Sequence, residues 1–274
     1  MLRTVFDALA SGFAQFFKNA NRVNVGLLER CNPIFEFSVA GQRARFYCPN
    51  RLSLWRVKTL FTKEPDTIRW IESFRHEDVF CDIGANIGLY SVYAALRGNR
   101  VLAFEPEAQN YAVLNRNIHA NNLDHLIDAY NIALSCETRV SHLYLPEVIP
   151  GGALNNLDEP LDHNRESFKP AFRQSVLAFT LDEFLEKLGH PTPHHIKIDV
   201  DGIESAVVAG LRHTLADRNI RSVLVELNRS LPADLEIIQL LKAQGFIVES
   251  EYHSPLFDEG RFKDVFNYIF RRTT

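Results

Sequence analysis

The sequence predicts an α/β fold: a doubly wound, mainly parallel seven-stranded sheet with an antiparallel C-terminal strand, preceded by an N-terminal cap of helices and a hairpin. Three observations predict it. From Asp78 onward, short apolar runs alternate with amphipathic stretches of helical period, which is the pattern of βαβ units. The first run ends in Asp82 and passes through Gly84 and Gly88 into a helix, the kind of strand-to-helix turn at which such sheets bind ligands. The last two runs are linked through Asp258-Glu259-Gly260, too short for a parallel crossover, so they pair antiparallel.

Taken in order, the chain opens with Leu2, Val5, Phe6, Leu9, Phe13, Phe16 and Phe17 at helical spacing, interrupted by Asp7, Gln15 and Lys18. That is too broken for a signal peptide and too short for a membrane span. It reads as a helix packed on the domain, with weak membrane-surface contact as the alternative. Ile34 to Val39 and Arg43 to Tyr47 form a hairpin around Ala40-Gly41-Gln42, and helices follow at Leu52 to Phe61 and Pro65 to Phe74. Residues 1–77 make the cap and 78–274 the main domain. There the strands are Val79 to Asp82, Arg100 to Glu105, Ile127 to Ile132, His195 to Asp199, Ser222 to Leu227, Phe246 to Glu251 and Val265 to Phe270. Helical stretches lie at Ile87 to Leu96, Ala108 to Ala120, Ile203 to Leu215 and Ala233 to Ala243. Pro146 to Gln174, rich in Pro, Gly, Asn and Asp, breaks this rhythm and reads as a loop covering a substrate.

Composition excludes several classes of partner. With 30 basic against 34 acidic residues, a net charge of −4 and no basic stripe, nucleic acid is not an expected partner. The cysteines Cys31, Cys48, Cys81 and Cys136 show neither C-x-x-C spacing nor a histidine set for zinc, and read as reduced thiols of a cytoplasmic protein. A Cys31–Cys48 disulfide across the hairpin is the alternative.

The chemistry concentrates at the first turn. In a dinucleotide fold this turn cradles a diphosphate, which the carboxylate of Asp82 would repel. A nucleoside carrying an ammonium and a sulfonium would be attracted instead, and Glu105, ending the second strand, can accept hydrogen bonds from a ribose diol. Tight packing of Gly84 and Gly88 without any ligand, and a solvated strand end for Glu105, are the bland alternatives.

At these residues the sequence resembles the FkbM family of methyltransferases, whose first motif has the form Asp82-Ile83-Gly84-Ala85-Asn86-Ile87-Gly88-Leu89-Tyr90-Ser91. The likeness continues through Phe104-Glu105-Pro106, Asn121-Asn122, Ala133-Leu134-Ser135, Thr180-Leu181-Asp182 and the run from Lys197 to Glu204, and again at Asn267 to Phe270. It implies a class I methyltransferase, Rossmann-like, with S-adenosylmethionine held by Asp82, Gly84, Asn86, Gly88, Glu105 and Ala133. The implied reaction is O-methylation of a hydroxyl on a sugar, lipid-linked saccharide or secondary metabolite. One departure is visible: the family pattern usually has Glu at the position of Asp201, and the shorter side chain weakens a direct substrate role there.

Lys197 and Asp199 alternate with Ile196, Ile198 and Val200 at the end of a central strand, where the ligand crevice of such sheets opens. Asp199 is the candidate to take or orient the acceptor proton and Lys197 to stabilise developing negative charge, against a purely structural ion pair. Glu226 ends the next strand as a third catalytic candidate. With Asp199 and Asn228 it also has the makings of an oxygen-ligand set for magnesium, although no metal is expected. Asp201 before Glu204, and Thr180 before Glu183, have capping-box spacing. His194 and His195 belong at the far end of the sheet; His163 and His253 are weaker candidates for the acceptor pocket. An NAD-dependent Rossmann oxidoreductase or epimerase is the rival enzyme, and a non-catalytic donor-binding protein the rival from another class.

Overall fold

The computed structural model describes residues 30–273. From Phe35 onward the described residues form one compact unit. The expected N-terminal helix lies outside the described residues. Strands β1 (Ile34–Val39) and β2 (Gln42–Tyr47) make the expected two-stranded hairpin. Its turn places Ala40 and Gly41 at φ 48° and 80°, as a two-residue hairpin turn requires. Helix α1 (Arg51–Lys63) starts on Asn50, whose side chain accepts the Ser53 N–H, and α2 (Pro65–Glu72) has proline in its first turn.

The main sheet has seven strands: β3 (Val79–Ile83), β4 (Arg100–Phe104), β5 (Ile127–Tyr130), β10 (His195–Ile198), β11 (Ser222–Asn228), β12 (Phe246–Tyr252) and β13 (Val265–Arg272). Their order is β12-β13-β11-β10-β3-β4-β5. The central strands pair parallel, and β13 slots antiparallel between β11 and β12. This is the doubly wound, mainly parallel seven-stranded sheet with an antiparallel C-terminal strand that the sequence predicts. Strand alternation splits the core into two layers. Phe80, Val101, Ala103, Leu224 and Ile269 face α1, α2, α3 (Leu89–Leu96) and α4 (Ala108–Ala120). Cys81, Ile83, Ile196, Ile198 and Val225 face α5 (Leu181–Leu188), α6 (Glu204–Ala209), α7 (Arg212–Ala216) and α8 (Pro232–Ala243).

Three expectations need correction. The segment read as a bare loop is partly a second sheet, in which β6 (Ala133–Leu134), β7 (Arg139–Leu145), β8 (Asn156–Leu157) and β9 (Phe172–Phe179) are ordered β6-β9-β7-β8. The helix expected over Ile203 to Leu215 is two helices, because Gly210 passes so close to Ser135 that a Cβ would stand 2.0 Å from its carbonyl oxygen. Neither expected capping box is complete: the Thr180 N–H donates to Thr138 Oγ1 rather than to Glu183, and no side chain caps α6. Thr180 caps α5 through the Glu183 N–H, but at α6 it is Glu204 that reaches back to the Val200 and Gly202 N–H groups, while Asp201 bonds elsewhere. All four cysteines are free thiols. No helix among the described residues is long and apolar enough to cross a membrane.

Candidate active site

At the C-terminal ends of β3, β4, β10 and β11 lies a cavity of about 510 Å³, within the range of small-ligand sites. Its walls carry Gly84, Asn86, Glu105 and Ala133 together with Asp199, Asp201 and Glu226. The turn after β3 explains much of this shape. Gly84 (φ 81°) is required because a Cβ there would sit 1.8 Å from the Asp199 carbonyl oxygen, and Gly88 (φ 82°) because one would meet Leu114 at 2.3 Å. Gly88 begins α3 and does not line the cavity, so its contribution is close helix packing.

The backbone donors of this turn are already committed. The Gly84 and Ala85 N–H groups donate to Phe104 O, Asn86 N–H to Glu105 Oε2, Ile87 N–H to Asn86 Oδ1, and Gly88 N–H to Ala85 O. A diphosphate would find no free amide here and would face Glu105. Each Glu105 oxygen accepts a single backbone bond, Oε2 from Asn86 and Oε1 from Glu107 at 2.9 Å, which leaves lone pairs for a diol. Burial raises the Glu105 carboxyl to about 7. Asn86 and Asn110 both donate to Gly152 O, and Asn110 Oδ1 accepts the Gly151 N–H, so this part of the inserted segment is pinned beside them.

Asp82 has a different place from the one expected. Pairing with Lys197 in parallel register, it points into the layer beneath the cavity, is wholly buried, and bonds Ser91 Oγ at 2.5 Å through one oxygen. It therefore offers the donor no direct contact in this geometry. Burial raises its pKa, opposed by the nearby Lys197.

Lys197 is 1% exposed and its Nζ lies 2.7 Å from Asp199 Oδ2. Burial alone would strip its proton, but Asp199, Asp82 and Glu64 outweigh it and lift the pKa above the lysine range. Register explains how the acids meet: Lys197 pairs with Leu224, so two residues further along Asp199 comes beside Glu226. Burial, then Asp199, raises the Glu226 carboxyl well above its ordinary value. Asp199, Asp201 and Glu226 present oxygens within 4.8 Å of one another and are the described group that could hold a cation. Asn228 is not part of it, because its amide bonds His163 O and Asn164 Oδ1 while its oxygen accepts from Ser230.

Other residues at the site were not foreseen. Lys63 and Glu64, at the junction of α1 and α2, border a recess of about 50 Å³ shared with Tyr90, Lys197 and Asp199. Lys63 Nζ is 2.6 Å from Glu64 Oε1, and Tyr90 donates to Glu64 Oε2 at 2.6 Å. Burial would raise Glu64, but Lys63 and Lys197 hold it down at about 2. Asp201, which its spacing marks only as a cap, lines the cavity in a left-handed conformation and accepts the Leu154 N–H at 2.6 Å. Tyr90 and Asp201 lie inside recognisable motifs, whereas Lys63 and Glu64 lie outside all of them. The histidines stand apart from the cavity walls: His163 bonds Arg261 O and His253 bonds Val265 O. His195 sits at the opposite end of the sheet between Asp78 and Ser222, as expected.

Residues 82–248 match the family model described as the Methyltransferase FkbM domain, more than half of the chain. The hexuronic acid methyltransferase AglP of Haloferax volcanii is 26% identical over 77% of this chain and 86% of its own length. The methyltransferase sdnD of Sordaria araneosa is 30% identical over 76% of this chain and 88% of its own. The 31-O-demethyl-FK506 methyltransferase FkbM of Streptomyces tacrolimicus is 27% identical over 67% and 77%, respectively.

Proposed function

Because the chain belongs to the FkbM methyltransferase family and takes S-adenosylmethionine as its donor, we propose that it methylates a hydroxyl of a small molecule or saccharide at the carboxylate end of the cavity. The observation that carries this reading is the closed set of amide bonds through Gly84–Gly88 beside a buried, half-satisfied Glu105. Such a pole suits an uncharged ribose and not a diphosphate, and so disfavours an NAD-dependent oxidoreductase. The relatives named for a hexuronic acid and for a 31-O-demethyl compound support an oxygen acceptor.

The donor supplies an electrophilic methyl group on sulfur; the chain's task is to position the acceptor and to receive its proton. Gly84, Asn86, Glu105 and Ala133 hold the nucleoside, with Asn86 fixing the rotamer of Glu105 through its N–H. Asp199 takes or orients the hydroxyl proton, using the oxygen not engaged by Lys197. Lys197 is too deeply buried to touch an acceptor and acts through Asp199, as a positioning cation. Burial, then Asp199, raises the Glu226 carboxyl well above its ordinary value, which suits it to donate a hydrogen bond to the acceptor rather than to compete as a second base.

Calorimetry with S-adenosylhomocysteine and with NAD tests the donor pole: binding of the first and not of the second is expected, and the reverse would sink the reading. Labelled methyl transfer into hydroxyl compounds tests the reaction. Asp199→Asn is expected to keep donor affinity and lose about 10²-fold or more in turnover; full turnover in that variant would remove Asp199 from the mechanism.

A further inference from the structure

Helix α1 and the loop before β13 contribute Trp55, Arg56, Phe257, Arg261 and Phe262 to the cavity wall. Neither arginine has a carboxylate within ion-pair reach among the described residues, although both line a cavity. Arg56 uses only Nε, donating to Gly151 O at 2.7 Å, which fixes the guanidinium and leaves its terminal nitrogens uncommitted. The Arg261 guanidinium lies over the Phe262 ring, 5.0 Å from its centre, and its side chain makes no hydrogen bond among the described residues.

None of the wall's carboxylates forms an ion pair with either arginine, and Asp201 feels the Arg56 charge only at longer range. Glu105 belongs to the donor pole, Asp199 is paired with Lys197, Asp201 bonds the Leu154 N–H, and Glu147 is exposed to solvent. Burial, then Asp199, raises the Glu226 carboxyl well above its ordinary value, and it makes no ion pair with either arginine. Guanidinium groups with free donors recognise planar or tetrahedral oxyanions, and aromatic walls accommodate the flat face of a ring.

We propose that Arg56 and Arg261 form an anion-recognising subsite, so that the methyl acceptor carries a carboxylate or phosphate on a ring-sized body. This rests on reading the cavity as a methyl-transfer site. The acceptor's anionic group anchors at the arginines while a hydroxyl of the same molecule reaches Asp199.

The test is calorimetry on the full chain loaded with S-adenosylhomocysteine, titrated with D-glucuronate, D-glucose 6-phosphate and D-glucose. At least one of the two anions is expected to bind roughly tenfold or more tighter than glucose, the yield of one charge-assisted contact. Preference for the uronate identifies a carboxylate, and preference for the sugar phosphate identifies a phosphate. Arg261→Met, which removes no structural hydrogen bond, is expected to reduce the preference with unchanged affinity for S-adenosylhomocysteine; Arg56→Met, which also loses the bond to Gly151 O, is expected to reduce it too, and the double variant to abolish it. Loaded protein that binds neither anion tighter than glucose overturns the subsite alone, as does a preference that survives both substitutions. Failure of the loading step overturns the transferase reading and the subsite with it.

Discussion

Replacing Lys197 by methionine isolates what the buried ammonium does. The side chain is 1% exposed, its Nζ is 2.7 Å from Asp199, and Asp82 and Glu64 add to its field. Methionine keeps most of the volume, so the loss is electrostatic rather than a cavity. Removing one partner of a buried charge pair costs about 3–5 kcal/mol, because the other charge is left without compensation. Asp82 moderates that cost: burial already raises its pKa, Lys197 is the main opposing charge, and without it the carboxyl takes up a proton. A carboxyl whose folded pKa lies above its unfolded value contributes stability at low pH that is lost as pH rises. The gap between wild type and Lys197→Met should therefore be small near pH 5 and reach its full size near pH 8. Urea unfolding followed by circular dichroism at both pH values measures it. A gap below about 1 kcal/mol at pH 8, the yield of an exposed ion pair, or one of equal size at both pH values, would refute the reasoning.

The other expectations follow from single contacts. Gly84→Ala puts a Cβ 1.8 Å from the Asp199 carbonyl in a left-handed conformation, so it should cost on the order of 3 kcal/mol and weaken S-adenosylhomocysteine binding; an unchanged melting temperature and affinity would contradict the close approach. His195, bonded to Asp78 and Ser222, has its pKa lowered by burial to about 4. The unfolded chain therefore binds a proton that the fold refuses, and about 3 kcal/mol of stability present at neutral pH is lost as pH falls from 6.5 toward 4, checked by an NMR titration showing a neutral imidazole down to that pH. Burial, aided by Asp234, lifts Glu204 to about 8, so its stabilising protonated form is lost as pH rises through that value. Glu204→Gln should match wild type near pH 4.5 and exceed it by pH 8, the gap growing by up to about 1.4 kcal/mol per pH unit in urea unfolding.

The main sheet was legible because its strands are buried on both faces and read as apolar runs between amphipathic helices. The second sheet was not, and β7 and β9 show why. Exposed positions there carry Val140 and Leu177, paired opposite each other, while Ser141 on the inner face is buried. Alternation exists in the backbone but not in the polarity of the side chains, so no period-2 signal stands out from the sequence. Four of its neighbouring prolines and glycines, at Pro146, Pro150, Gly151 and Gly152, then suggest a loop where the chain is instead turning between strands.

Residue type and strand position pointed to Glu105, Asp199 and Glu226, which all line the cavity. An acid closing an apolar strand loses hydration as the sheet packs, and a crevice at the strand ends is where hydrogen-bond partners can offset that loss. Face parity was the missing step for Asp82. It lies two residues after Phe80, and both point to the layer of α3 and α4; an acid on that face is beneath the crevice, where it can steady Lys197 but cannot meet a ligand. Lys63 and Glu64 had no sequence signal at all. A lysine and a glutamate between two helices, the second preceding a proline, read as a solvated junction. Only the packing of the cap against the sheet converts them into a buried ion pair sharing a recess with Lys197 and Asp199. The electrostatics of the transfer site therefore depend on a segment that precedes the matched family region, 82–248. Acceptor chemistry should accordingly vary with the cap while the donor pole, closed by its own backbone bonds, stays the same.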